Sequence, residues 1–349
     1  QEESFLSNSI QYGLFDWIDR SPVAVGELYE ERLKLAELAD QADFYGYHLA
    51  EHHGTSLGVA PSPSVFFSAL AQRTTNIRFS AMAFLLPMYH PIRLVEEVCM
   101  LDHLSNGRVE LGVSKGVSPY ELKCFDVDPN SAQEVFTEAL EVFKKGMTET
   151  VLNHNGEHFN FKDVTISLKP LQKPYPPLWY PTFSESGTIY AAKNRYNFLT
   201  LGPSALVASL ATLYRKEQHQ LPDHARVSNN PKIGAMRQIF IGSTDEEALR
   251  IAELAYRDWY ESITELWHKN ANSSFDALFG WEACLASETI LIGSADTVLG
   301  QIQKLVDESD INYLAGAFAW GSLSFEQSKS SLLSFINDVA PNITSMQHE

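Results

Sequence analysis

Apolar runs and helical periodicities alternate along most of this chain. Residues 10–15 read as a strand, and Leu28, Leu33, Leu35, Leu38, Ala39 and Ala42 then recur at roughly helical spacing behind the acidic residues Glu27, Glu30 and Glu31. A second apolar run occupies 44–49. A helix over 65–73, a strand over 77–86 closed by Pro87, a helix over 92–104 ending near Gly107, and a strand over 108–113 follow. The acidic and apolar alternation of 134–145 predicts the fourth helix, with Gly146 as its expected C-cap.

The rhythm breaks at about 150–177. Short alternating pieces, Glu157-His158-Phe159-Asn160-Phe161 and Val164-Thr165-Ile166-Ser167-Leu168, precede Pro170, Pro174, Pro176 and Pro177, which predicts a β-hairpin insertion. Strands at 178–183, 198–201 and 232–241 then alternate with helices at 186–193, 204–217 and 245–267, the last with Thr244 as N-cap. Residues 270–287 show no periodicity and are expected to form a lid or mobile flap. A helix at 295–306, a strand at 313–319 and a helix at 325–339 complete eight strands, each followed by at least one helix. That count predicts an α/β fold, a (β/α)8 TIM barrel in a single domain over 1–349, with the flap near the C-terminal face of the strands. An open doubly wound sheet is the alternative, weakened because no GxGxxG follows the first strand.

Composition narrows the function classes. With 349 residues, 44% of them hydrophobic, the chain can bury a large core. Its 44 acidic against 26 basic residues give −18, a charge that repels phosphate backbones and anionic bilayers, so neither nucleic acid nor membrane is an expected partner. Cys99, Cys124 and Cys284 are odd in number, far apart and without a CxxC pair, which suits a reducing cytoplasm. No apolar run approaches the ~20 residues of a membrane span, and Gln1-Glu2-Glu3 lacks the basic start of a signal peptide.

Barrel strands converge at their C-terminal ends, so residues there can meet although distant in sequence. Strand two delivers Glu51, His52 and His53; strand three Met82, Ala83 and Phe84; strand four Ser114, Lys115 and Gly116; strand five Phe183, Ser184, Glu185 and Ser186. Adjacent histidines point in different directions on extended backbone, and no third ligand has metal-site spacing, so no metal is expected. One imidazole is expected to act as a general base or donor, the other to be packed in support. Ser184, Ser186, Gly187 and Thr188 would offer N–H groups and hydroxyls to an anion at a helix start, or would simply cap that helix. Lys115 is either an anion's point charge or a solvated loop charge, and Ser114 either a site residue or a small one chosen for fit.

Three segments taken together narrow these alternatives. Leu49-Ala50-Glu51-His52-His53, then Leu85-Leu86-Pro87-Met88-Tyr89-His90-Pro91-Ile92-Arg93, then the stretch from Leu101 to Gly116 containing Asn106-Gly107-Arg108-Val109-Glu110-Leu111-Gly112, resemble the bacterial luciferase-like flavin monooxygenase family. The likeness runs on through Lys144-Lys145-Gly146-Met147-Thr148 and Pro177-Leu178-Trp179-Tyr180, and more weakly to the final helix. It implies a TIM barrel with an insertion, reduced FMN (FMNH2) at the C-terminal face, and O2 captured as a C4a-peroxyflavin that oxygenates an aldehyde, ketone or other small organic substrate. An NAD(P)H:flavin reductase is the implied supplier of reduced flavin, and a homodimer the implied assembly. By position, His52 matches the family's acid/base histidine, with Glu51 and His53 its neighbours. Met82-Ala83 matches a non-prolyl cis peptide beneath the flavin ring, Lys115 a phosphate-binding arginine, and Ser184, Gly187 and Thr188 the phosphate-binding turn.

The departures are specific. Ser114 stands where luciferase α-subunits carry a reactive cysteine, Lys115 replaces arginine, and Phe183 replaces a glutamate, so light emission with long aldehydes is not expected. Retention of His52 favours an active oxygenase over a non-catalytic flavin-binding partner subunit; a deazaflavin-dependent oxidoreductase on the same barrel is the other alternative, separated by comparing the binding of FMN and deazaflavin.

Overall fold

A computed structural model describes residues 10–221 and 231–344; Gln1-Glu2-Glu3 lie outside the described residues. The chain begins β1 (Gln11–Asp16), α1 (Val25–Gln41), β2 (Gly46–Leu49), α2 (Pro63–Arg73), β3 (Arg78–Leu85), α3 (Pro91–Leu104), β4 (Val109–Ser114), α4 (Pro119–Lys123) and α5 (Ala132–Thr148). It continues β5 (Val151–Asn155), β6 (Asn160–Thr165), β7 (Leu178–Pro181), α6 (Glu185–Lys193), β8 (Asn197–Thr200), α7 (Ser204–His219), β9 (Ile233–Ile241) and α8 (Asp245–Lys269). Then come α9 (Asp276–Phe279), α10 (Trp281–Ala286), β10 (Ile290–Gly293), α11 (Ala295–Ser309), β11 (Tyr313–Ala317) and α12 (Phe325–Ser334). The fold is a (β/α)8 TIM barrel built on β1, β2, β3, β4, β7, β8, β9 and β11.

The chain forms two compact units. In the unit of residues 16–181 and 261–274, β2, β3, β4 and β7 are neighbours in that order and parallel, with Leu49 opposite Ala81 and Leu111 opposite Leu178. Strands covered on both faces are buried along nearly their whole length, which is why β2 and β3 show no apolar–polar alternation. Proline at the start of α2 and of α3 uses its fixed φ where the helix needs no N–H donor. Gly112 permits the closest strand approach: a Cβ there would stand 1.9 Å from the Ala81 carbonyl oxygen.

In the unit of residues 182–260 and 275–344 with β1, the strands β8, β9, β11 and β1 are parallel neighbours, and β10 runs along the C-terminal half of β9. Ser294 caps α11, and Ser324 with Gln327 forms a full capping box on α12.

Four expectations need correction. Gly146 is not a C-cap; it lies inside α5, where a Cβ would come within 2.8 Å of Val95, so the glycine serves helix packing. The insertion is the expected hairpin, but its antiparallel strands are β5 and β6 rather than the pieces at 157–161 and 164–168. Residues 270–287 are not a structureless flap: α9 and α10 form there, Tyr256 donates to the Phe279 carbonyl at 2.9 Å, and Phe279 packs edge-on against Trp259. Residues 290–293, left outside the expected strands, are β10.

Candidate active site

Backbone pairing brings β2 to its end with Ala50 N–H bonded to the Asp16 carbonyl, and Glu51, His52 and His53 follow as irregular chain. Glu51 turns inward and is only 2% exposed. It accepts from Leu85 N–H at 3.3 Å and from the Tyr89 hydroxyl at 2.9 Å, and its other oxygen lies 2.7 Å from His53 Nε2. Burial raises its pKa above the ordinary glutamate range, against the opposing pull of His53 and the other donors. The phenol of Tyr89 is raised too, by burial and by the Glu51 charge. Burial and charge repulsion therefore favour a neutral Tyr89 donating to Glu51.

His52 turns the other way, to a partner that sequence reasoning missed. Glu121, 5% exposed on α4, places Oε1 3.2 Å from His52 Nδ1 and accepts the His53 backbone N–H at 3.0 Å with Oε2. A carboxylate oxygen accepts, so in this contact Nδ1 is the donor and Nε2 is the ring nitrogen not engaged by Glu121. The signal was present: Ser118-Pro119-Tyr120-Glu121 has capping-box spacing, and Ser118 does accept the Glu121 N–H at 3.3 Å. The Glu121 carboxylate goes to the histidine loop, a tertiary choice that spacing does not encode. Gly58 lets that loop fold back on His52, since a Cβ there would come within 3.0 Å of the His52 Cβ. His53 packs edge-on against Phe125, with ring centres 4.6 Å apart.

Of the other expected residues of this unit, Met82 and Ala83 lie within β3 rather than at its end, while Ser114 and Lys115 lie at the end of β4. The Met82–Ala83 peptide is cis, and the β3–β4 register shifts between Ala81 and Phe84. Ser114 closes β4 and accepts the Gly116 N–H at 3.1 Å, and Lys115 is exposed beside it. Burial pushes the Cys99 thiol up to about 11 and raises that of Cys284, which suits packed rather than nucleophilic sulfur.

In the other unit, Ser184 caps α6 by accepting from Gly187 N–H at 3.2 Å. Its hydroxyl also lies 3.2 Å from that of Thr182 and 3.4 Å from that of Ser186, and a Cβ on Gly187 would stand 2.2 Å from Thr182 Oγ1. Hydroxyls converging on a helix start suit an anion. Thr188 departs from expectation: it is 0% exposed and donates to the Ser184 carbonyl at 2.9 Å, so it shapes the turn from behind. Phe183 is 62% exposed.

Among the described residues, no helix is long and apolar enough to cross a membrane, and no three His, Cys, Asp or Glu side chains gather as a metal set. A family model described as luciferase-like monooxygenase matches residues 10–309. The chain belongs to the luciferase-like monooxygenase family. This family includes flavin-dependent oxygenase components of two-component systems. Luciferase-like relatives match over nearly the full length. The uncharacterized protein y4wF of Sinorhizobium fredii is 35% identical over 324 residues, covering 93% of this chain and 94% of its own. The oxygenase component of the flavin-dependent trigonelline monooxygenase of Acinetobacter baylyi is 27% identical over 334 residues, covering 90% of each. The oxygenating constituent of 3,6-diketocamphane monooxygenase from Pseudomonas putida, a type II Baeyer–Villiger enzyme solved with FMN, matches at a TM-score of 0.79 and 19% identity. It covers 97% of this chain and 100% of its own, and shows the shared fold.

Proposed function

We propose that this luciferase-like protein is the oxygenase component of a two-component monooxygenase that takes reduced FMN from a separate NAD(P)H:flavin reductase. One atom of O2 enters a small organic substrate and the other leaves as water, with two electrons drawn from the reduced flavin. The observation that carries this reading is the His52–Glu121 pair after the end of β2, an imidazole held through Nδ1 by a buried carboxylate. Reduced FMN, when bound, supplies the electrons that activate O2.

The protein's own groups do the rest. His52 Nε2 holds or moves the proton, Glu121 keeps the ring oriented, and Glu51 and His53 fix the loop that carries it. Met82, Ala83 and Ser114 are the proposed wall for the flavin ring, fitted by the close β3–β4 approach that Gly112 permits, and Lys115 is the proposed cation for its phosphate. The Ser184 turn, with Gly187 and with Thr188 behind it, is proposed by itself as an anion-binding turn, because its hydroxyls converge on a helix start.

The test is product analysis by mass spectrometry with FMN, NAD(P)H, a flavin reductase and 18O2. The panel would hold aldehydes, ketones and trigonelline, the last because it names the activity of a relative. One 18O atom in product supports the reading. Absence of oxygenated product across the panel, with tight binding of a deazaflavin in place of FMN, would move the chain to hydride transfer.

A further inference from the structure

The last turns of α8 and the residues after them touch the segments that carry the two halves of the His52–Glu121 pair. Directly after His53, the loop is gathered by one carboxylate: Glu265 accepts from Ser56 N–H at 2.7 Å, Ser56 Oγ at 2.6 Å and Thr55 Oγ1 at 3.2 Å. Ser262 adds its carbonyl to Thr55 at 3.3 Å and its hydroxyl to Ser56 at 3.2 Å. On the other side, α4 has only five residues and too few internal hydrogen bonds to hold Glu121 still by itself. Tyr120, the neighbour of Glu121, packs edge-on against Trp267 with ring centres 5.3 Å apart and accepts from Asn272 at 3.2 Å.

We propose that residues 262–272 are a brace for the catalytic pair, and that Glu265 is a positioning residue that sets the His52–Glu121 geometry through Ser56. The proposal rests on the reading of His52 as the proton-moving group. His52 and Glu121 lie 69 residues apart in sequence, and within the unit the same stretch holds the segment carrying each. The clasp also resists titration. Partial burial acts to raise the Glu265 pKa, but the Lys269 ammonium and the Ser56 hydroxyl and N–H outweigh it and hold the carboxyl at about 2. It therefore stays an acceptor throughout neutral and mildly acidic solution.

Histidine-selective 15N spectra of the full chain, without flavin, read the pair directly. In Glu265→Ala and in Ser56→Ala, the His52 Nδ1–H signal should broaden or vanish, while the His48 ring signals, held by Ser80 at 2.8 Å, stay in place. With FMN, reductase and O2, kcat in both variants should fall roughly tenfold at a KM for reduced FMN within about twofold, the signature of lost orientation rather than lost binding. In a Glu121→Ala background, which removes the acceptor, the same changes should cost less than about twofold, since the pair they position is already broken. An intact His52 signal in both variants overturns the brace, as does a full tenfold loss that persists in Glu121→Ala. If His52→Ala leaves product formation unchanged, the assignment of His52 falls, yet the 15N spectra still decide whether the brace sets its geometry.

Discussion

One unit buries carboxylates at both ends of its strands, and the two ends are built differently. At the N-terminal end, Glu110 on β4 is met by the Arg78 guanidinium at 2.5 Å and by the Tyr45 hydroxyl and the Trp179 indole N–H, while Arg78 also donates to the Gly107 carbonyl and to Gln172. A fixed cation answers the charge, and the donors are committed. At the C-terminal end, Glu51 and Glu121 face the imidazoles of His53 and His52 rather than a guanidinium. Burial alone therefore does not mark a working site. A buried carboxylate closed by arginine ties neighbouring strands together, whereas the two answered by histidine flank the proposed proton-moving group, in keeping with the division of labour between barrel ends.

Removing the cation from the closed end gives the largest expected loss of stability. Arg78→Ala leaves Glu110 buried without its counter-charge and should cost roughly 3–5 kcal/mol in urea unfolding, with flavin binding by the folded fraction unchanged. A loss that instead tracked flavin binding would break the distinction between the two ends. Gly112→Ala lies between them. Its Cβ meets backbone rather than a flexible side chain, so a loss of about 1–3 kcal/mol is expected, with weakened FMN binding because β3 must move.

The smallest effect is the most diagnostic of the open end. Because burial raises the pKa of folded Glu51 above its unfolded value, the protonated form is favoured by folding. Its contribution to stability therefore declines as pH rises from the unfolded value of about 4.3 through the raised folded value. Glu51→Gln should unfold at a denaturant midpoint that depends less on pH than wild type between pH 4 and 8, the two curves diverging toward the alkaline side in favour of the variant. Parallel curves would show that folding does not favour the protonated form of Glu51.

Much of this was legible in the chain. The strands β1 to β4 were readable as apolar runs, and His52 and His53 stood out because chemistry-bearing residues followed β2 directly. The β10 strand was not readable: four residues between Thr289 and Ser294 carry no period. Nor were α9 and α10, short helices held by Trp259, Tyr256 and Phe279 rather than by an amphipathic repeat. Gly146 was misread because a glycine after an amphipathic run signals a cap or a close approach equally well, and only Val95 distinguishes them. The harder miss was Glu121. Local spacing accounted for it as a capping residue, while its partners, His52 and the His53 N–H, come from a loop far away in sequence.

The contrast between the two ends comes to a single comparison of rate and stability in His52→Ala. With FMN, reductase, O2 and the substrate identified by 18O labelling, product formation should fall by roughly 10²–10⁴-fold. The stability lost in urea should be about 1–3 kcal/mol, because Glu121 keeps only the His53 N–H as partner from that loop, too little to explain the fall in rate, and reduced FMN should bind as before. Undiminished product formation, or a loss fully explained by unfolding, would contradict the claim that His52 is the working group of this site.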